Sequence, residues 1–256
     1  MIGRGARAAW RVSGSVLHVL LGALICLLIF PFLGAARRMC LVGWWSARML
    51  AVLGIRLQHR GSIAGGPVLL VANHISWLDI LVINAVQPAR FVSKSDVRHW
   101  PLLGWLVACG GTLFIERERK RDALRVLHQV AEALRAGEII AVFPEGTTSD
   151  GHGVLPFHAN LLQAAIAAQA PVQTLALRYS DATQRVSEAA VYVGDTPLVA
   201  SIWTTAMAQG LQAQVLIAPP WGAKPHDDRR ALAEHLRLQI LNHLEANERA
   251  RPQPAG

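Results

Sequence analysis

The chain has 256 residues, 52% hydrophobic and 16% charged, with a formal net charge of +8 at pH 7. That length suits one ordinary domain with an extension and is enough to bury a sizeable core. Eight arginines and no Asp or Glu occur through Arg60, whereas the remainder balances seventeen basic against seventeen acidic residues; positive charge that brackets an oily stretch, instead of striping a polar surface, argues against a nucleic-acid partner.

In chain order, Val16 to Ala36 carries no formally charged residue, has a Leu/Ile/Phe-rich centre from Leu20 to Leu33, and is flanked by Arg11 and Arg37-Arg38. About twenty apolar residues can cross a hydrocarbon core, so a hydrophobic helix over about 16–36 is expected as a membrane anchor. Pro31 and His18 interrupt a straight span, and arginines at both ends leave spanning, re-entrant and interfacial placements open. From Met39 to Leu57, Trp44, Trp45, Met49, Leu50, Val52 and Leu53 alternate with Arg48 and Arg56, which suits an amphipathic helix over about 39–57 at headgroup level. Residues 1–60 therefore read as a basic N-terminal anchor. A cleavable signal peptide would show a similar order, with Arg4, Arg7 and Arg11 before the apolar run and Gly34-Ala35-Ala36 after it. Cys26, Cys40 and Cys109 form no CxxC spacing and no even-numbered framework, so neither a disulfide scaffold nor a metal site is expected, and Cys109 reads as core.

Beyond residue 60, short apolar runs alternate with helical patterns. Strands are expected at Val68 to Ala72, Arg90 to Ser93, Leu113 to Ile115, Ile139 to Phe143, Val172 to Tyr179, Ala189 to Val193 and Gln214 to Ala218. The clearest helix runs from Arg119 to Ala136, with Ala123, Leu124, Leu127, Val130, Ala131 and Leu134 at helical spacing and Gly137 as its stop. Another covers Asp227 to Asn247, and 251–256 reads as a flexible tail. The alternation predicts an α/β fold over 61–250, a central largely parallel sheet flanked by helices, whose loops gather at the strand ends.

The strongest chemical signal is Asn73-His74-Ile75-Ser76-Trp77-Leu78-Asp79, where an apolar strand gives way to a turn and Ser76 reads as the N-cap of the next helix. A neutral imidazole can take a proton from a hydroxyl near neutral pH, and a carboxylate on its other nitrogen fixes the tautomer and stabilises the imidazolium. His74 and Asp79 are thus the candidate base and orienting acid; a plain Ser-x-x-Asp capping box is the competing reading. No G-x-S-x-G nucleophile elbow, P-loop, H-E-x-x-H or G-x-G-x-x-G occurs in the chain.

A second block, Phe143-Pro144-Glu145-Gly146-Thr147-Thr148-Ser149, follows another apolar run. With Gly111-Thr112-Leu113-Phe114-Ile115-Glu116-Arg117 and Ala170-Pro171-Val172-Gln173-Thr174-Leu175-Ala176-Leu177, these segments resemble the four ordered blocks of the glycerolipid acyltransferases that acylate lysophosphatidic acid and related lysolipids. The resemblance covers roughly Gly66 to Tyr179. It implies an enzyme that moves a fatty acyl group from acyl-CoA or acyl-carrier protein to the free hydroxyl of 1-acyl-sn-glycerol-3-phosphate, with no metal or other cofactor. It also implies a retained anchor in a bacterial inner membrane with the catalytic domain facing the cytoplasm, because acyl thioesters are cytoplasmic compounds.

On this resemblance, His74 would deprotonate the lysolipid, and the backbone amides at the helix start after Ser76 would receive the oxyanion. Arg117 would bind phosphate or carboxylate, and Glu145, Gly146, Thr147, Thr148 and Ser149 would shape the acceptor site. Pro171 would shape the acyl-donor groove, and Lys94, Arg98 and Arg178 could meet the CoA phosphates. One departure stands out: many lysophosphatidate acyltransferases carry arginine directly after F-P-E-G-T, where this chain has Thr148. In that respect it is similar to bacterial members that acylate lyso-ornithine lipid, a phosphate-free acceptor whose carboxylate would suit Arg117 and whose amine would suit Asp150. A catalytically silent lipid-binding protein of the same fold would be expected to lack His74 or Asp79, and both are present.

Overall fold

The computed structural model describes residues 3–116, 120–224 and 227–250; Arg117 and the tail from 251 lie outside them. Two helices, α1 (Arg4–Leu28) and α2 (Ala35–Leu53), open the chain. They are followed by β1 (Arg56–Arg60), β2 (Val68–Ala72), α3 (Leu78–Val86), β3 (Arg90–Lys94), α4 (Leu103–Cys109), β4 (Leu113–Ile115), α5 (Lys120–Arg135) and β5 (Ile139–Val142). Then come α6 (Leu162–Ala168), β6 (Val172–Ser180), α7 (Leu198–Met207), β7 (Gln212–Ile217) and α8 (Arg229–Ala250). The strands form one seven-stranded sheet in the order β1-β7-β6-β2-β5-β3-β4, parallel except for the antiparallel β6–β7 pair.

β2 sits near the centre and its five residues are all buried. Its side chains alternate: Val68, Leu70 and Ala72 pack on one face with Leu53, Leu78, Ile83 and Tyr179, while Leu69 and Val71 pack on the other with Val126, Val130, Leu134 and Ile166. A strand covered on both faces reads as an unbroken apolar run, and each large aliphatic side chain so enclosed contributes about 1.5–3 kcal/mol. The helical stripe of α5 differs slightly from the periodicity. Leu124 is 59% exposed and Val126 is fully buried, because the face that meets the sheet follows 126, 130 and 134.

Three boundaries depart from the sequence reading. The first helix runs from Arg4 to Leu28, not about 16–36, and Pro31 lies in a short 3-10 turn, Phe30–Phe32, that folds the chain back into α2; proline breaks the helical hydrogen bonding there. α2 ends at Leu53, not near 57, since Gly54 takes a left-handed conformation (φ 76°) and closes the helix as glycine does. Residues Arg56–Arg60 are an edge strand of the sheet, parallel to β7. Arg56, Gln58, His59 and Arg60 are exposed there, a charge-rich edge that resists pairing with other chains. Met49, Leu50, Leu53 and Ile55 join the main core, so α2 packs as part of the folded unit.

The expected strand Ala189 to Val193 is instead a 3-10 turn, Glu188–Ala190, and an extended strap. Its Tyr192 amide donates to the Ile75 carbonyl at 3.1 Å, so the segment spends its hydrogen bonds on the loop after β2.

α1 and α2 form a close hairpin. His18 stacks on Trp45 with ring centroids 5.0 Å apart; its Nε2 donates to the Trp45 carbonyl and Trp45 Nε1 donates to the His18 carbonyl, both at 2.9 Å. A Cβ on Gly22 would come within 2.7 Å of Trp45 Nε1, so glycine is what lets the helices approach. Arg11 donates to the carbonyls of Ala206 and Ala208 at 3.0 and 2.8 Å, closing the end of α7. α1 is long and apolar enough to cross a bilayer, yet only 17% of its most apolar window is buried, leaving Leu17, Leu20, Leu24, Leu27 and Leu28 exposed.

Candidate active site

β2 ends at Ala72 and the next residues turn at the carboxyl edge of the sheet. Asn73, fully buried, extends the β2–β6 pairing with its side chain: its Nδ2 donates to the Leu177 carbonyl at 3.0 Å and its Oδ1 accepts from the Leu177 amide at 2.7 Å. The next residue is thereby delivered at a fixed height above the sheet. His74 Nδ1 lies 2.8 Å from Asp79 Oδ2, and the imidazole stacks on Phe143 with centroids 4.0 Å apart and planes 11° from parallel. One nitrogen is held by the acid and the ring plane by the phenyl, while Nε2 takes part in neither contact.

Asp79 is fully buried, and a buried carboxylate is stable only when its lone pairs are used. Oδ2 accepts from the Ile75 and Ser76 amides at 2.7 and 2.9 Å as well as from His74, and Oδ1 accepts from the Tyr179 hydroxyl at 2.7 Å. The N-cap position of α3 is Trp77, without a side-chain cap, and the buried Ser76 hydroxyl makes no hydrogen bond. The Ser76 N-cap of the sequence reading is therefore replaced. Asp79 reaches back to the amides in the manner of the acidic half of a capping box, and the same carboxylate also holds the histidine.

The second block packs beneath this turn. Gly146 takes φ 76° and its amide donates to the Phe143 carbonyl at 3.1 Å, a turn that favours glycine. Glu145 is 4% exposed; Oε1 accepts from the His74 amide at 2.6 Å and Oε2 from the Leu155 amide at 2.9 Å. Burial raises its pKa above the ordinary carboxylate range, against the lowering effect of those amides and of His74. Ser149 donates twice to the His74 carbonyl, from its amide at 2.7 Å and its hydroxyl at 3.1 Å. The Thr148 hydroxyl donates to the Tyr192 carbonyl, which ties the strap to the same loop. Glu145, Thr148 and Ser149 thus spend polar atoms holding main chain around His74, and Thr147 keeps an exposed side chain.

The remaining expected residues are spread more widely. Lys94 is exposed at the carboxyl end of β3, and Arg98 is exposed just beyond it, over the Phe114 ring and lining a cavity of about 290 Å³ with Arg125, Gln129 and Thr112. Arg178 is not a surface charge: it is 7% exposed and donates to the Leu244 carbonyl at 2.8 Å, because it lies on the buried strand β6. Asp150 is exposed and accepts from the His152 amide at 3.0 Å in a local turn. Pro171 precedes β6, its carbonyl accepting from the Leu69 amide. β2 and β6 run parallel with Leu69 opposite Val172, so Pro171 sits at the amino edge of the sheet, six residues or about 20 Å from His74 at ~3.3 Å per residue. Arg117 lies outside the described residues. Among the described residues no group of three or more His, Cys, Asp or Glu is placed to hold a metal ion. Sequence reasoning missed Asn73, Phe143 and Tyr179 as functional parts; the available signal was that a tyrosine inside an apolar strand must find a partner for its hydroxyl.

A family model described as Acyltransferase matches residues 54–178. The chain is 39% identical over 166 residues to the lyso-ornithine lipid O-acyltransferase of Pseudomonas aeruginosa, covering 64% of this chain and 63% of that protein. It is 38% identical over 194 residues to a 1-acyl-sn-glycerol-3-phosphate acyltransferase of Neisseria meningitidis, covering 75% and 76%. The crystal structure of the 1-acyl-sn-glycerophosphate (LPA) acyltransferase, PlsC, from Thermotoga maritima has the same fold, with a TM-score of 0.64 at 19% identity over 95% of this chain and all of that one.

Proposed function

Given that the chain belongs to the acyltransferase family, we propose that it is a membrane-associated lysolipid O-acyltransferase in which His74 is the general base. The supporting observation is the 2.8 Å contact between His74 Nδ1 and a fully buried Asp79, which leaves Nε2 to meet the acceptor. Nε2 removes the proton of the lysolipid hydroxyl as that oxygen attacks the thioester carbonyl of acyl-CoA or acyl-carrier protein. The carbonyl electrons move onto oxygen and then return, expelling the thiolate, which takes the proton from the imidazolium. Products are the ester and the free thiol, without an acyl-enzyme. Asp79 takes up the amides of Ile75 and Ser76, so Trp77 and Leu78 at the start of α3 are the amides proposed to receive the oxyanion.

The acceptor proposed first is 1-acyl-sn-glycerol-3-phosphate, giving phosphatidic acid, supported by the similarity to a relative of that name over three quarters of both chains. Arg117 would hold its phosphate, and Lys94 with Arg98 would face the donor's phosphates. One observation favours a second reading, lyso-ornithine lipid: Thr148 donates to a backbone carbonyl where an arginine would contact phosphate. The exposed leucines of α1 would rest in the bilayer, with the catalytic domain on the cytoplasmic side where the thioesters are.

The test supplies the membrane-bound protein with labelled acyl-CoA or acyl-carrier protein and each lysolipid in turn, with products read by mass. Phosphatidic acid formation that His74→Ala abolishes supports the first reading. Consumption of lyso-ornithine lipid alone moves the assignment to the second, and no ester from either sinks both.

A further inference from the structure

We infer that Tyr179 is the outer member of the acid–base unit, a positioning residue whose hydroxyl fixes the rotation of the Asp79 carboxylate that the catalytic histidine depends on. The inference rests on the His74–Asp79 reading above and adds a residue from the far side of the core to it. Tyr179 is 2% exposed, lies on β6 and donates to Asp79 Oδ1 at 2.7 Å across a sequence separation of 100 residues. Oδ2 already takes three donors from the turn. Without the tyrosine, Oδ1 would be a buried charged acceptor that has lost its hydroxyl donor, and only the three donors on Oδ2 would hold the carboxylate against rotation.

The placement is built, not incidental. The register pairs Ala72 with Leu175, and the two hydrogen bonds between Asn73 and Leu177 carry that register past the end of β2. Tyr179 follows Leu177 by two residues and so emerges on the same face of β6, in the cluster that contains Leu78. Burial, then the charge of Asp79 and the bond to it, hold the phenol well above its usual range, so the group stays a neutral donor throughout the working pH.

The hydroxyl stabilises the pair more when His74 is neutral, because the carboxylate charge is then uncompensated; once the imidazolium forms, the ion pair asks less of the donor. Removing the hydroxyl therefore favours the ion pair over neutral His74, which moves the acid limb of the rate profile upward. It also loosens the base, at the expense of kcat more than of substrate binding.

The sequence holds two tyrosines, Tyr179 and Tyr192, so a Tyr192→Phe protein grown on 3-fluorotyrosine is modified at position 179 alone. Full-length protein in membranes would be assayed with lysophosphatidic acid and acyl-CoA across pH, as Tyr179→Phe against the parent and as 3-fluorotyrosine against tyrosine in the Tyr192→Phe background. Tyr179→Phe should lower kcat about tenfold, a charged hydrogen bond lost in part, leave KM nearly unchanged, and move the acid limb of the rate profile up by about half a pH unit. Fluorotyrosine, a more acidic and stronger donor, should move the limb down. An unmoved limb in both arms overturns the inference, provided His74→Ala is inactive. If His74→Ala is as active as the parent, the acid–base reading itself has failed. Should Tyr179→Phe not fold, the fluorotyrosine arm decides alone.

Discussion

Replacing Asp79 by asparagine isolates charge from shape. The carboxylate accepts four hydrogen bonds: His74, Ile75 and Ser76 on Oδ2 and Tyr179 on Oδ1. An asparagine with its oxygen at the Oδ2 position keeps the first three, and its amide then faces the Tyr179 hydroxyl, which can turn to accept. The fold should survive with a loss of about 1–2 kcal/mol, or roughly 2–8 °C in Tm at this chain length. The imidazolium, however, loses its counter-ion. At 2.8 Å and an effective dielectric of about 20, that attraction amounts to about 6 kcal/mol before desolvation. Neutral histidine does not feel it, so the loss falls on the transition state. We expect kcat to drop about 10²- to 10⁴-fold with KM little altered, measured by initial rates of product formation beside a thermal melt. A folded variant that keeps a third or more of wild-type kcat would refute the role given to the carboxylate, and an unfolded one would refute the account of the hydrogen bonds that asparagine retains.

Three further outcomes follow from the same geometry. Burial raises the Glu145 pKa, so the folded state binds its proton more tightly than the unfolded chain and stability falls as pH climbs from about 4.3 toward the folded midpoint; the Tm difference, wild type minus Glu145→Gln, should shrink over that climb in parallel melts. Gly54→Ala puts a side chain at φ 76° within 2.1 Å of Arg11, straining the backbone and pushing the guanidinium off the end of α7; about 1–3 kcal/mol and roughly 2–12 °C in Tm should be lost, and an unchanged melt would contradict it. Leu17→Glu with Leu24→Glu changes two side chains 67% and 52% exposed on one face of α1; co-sedimentation with anionic vesicles should fall at least tenfold, since each leucine in lipid is worth about 1.5–3 kcal/mol, while Tm stays within about 2 °C.

Much was legible in one dimension because local physics wrote it there. Unbroken apolar runs at Val68–Ala72 and Ile139–Val142 became central strands, as expected for strands covered on both faces, whereas β6 also buries Gln173, Thr174 and Arg178, each with a hydrogen-bond partner. His74 and Asp79 were legible because five residues of one turn bring them together. What was local but atypical misled: Leu57 and its neighbours continued an amphipathic pattern, yet Gly54 stopped the helix and the sheet took the chain as an edge. Ser76 had the composition of a cap, and the acid three residues on displaced it.

Only the tertiary structure decided the rest, because it depends on contacts between residues far apart in sequence. Glu145, Thr148 and Ser149 looked like substrate ligands, but packing turns their polar atoms toward the His74 loop and its strap. Phe143 as the floor of the imidazole follows β5 and Tyr179 as the partner of its acid lies on β6, both far from His74 in sequence. Pro171 went to the opposite edge of the sheet because parallel β2 and β6 start together there. Sequence alone determined the central strands and the turn that joins His74 to Asp79; the register of β6 on β2 decided which buried hydroxyl would meet that pair, since strand pairing is the long-range choice that no short window of residues encodes.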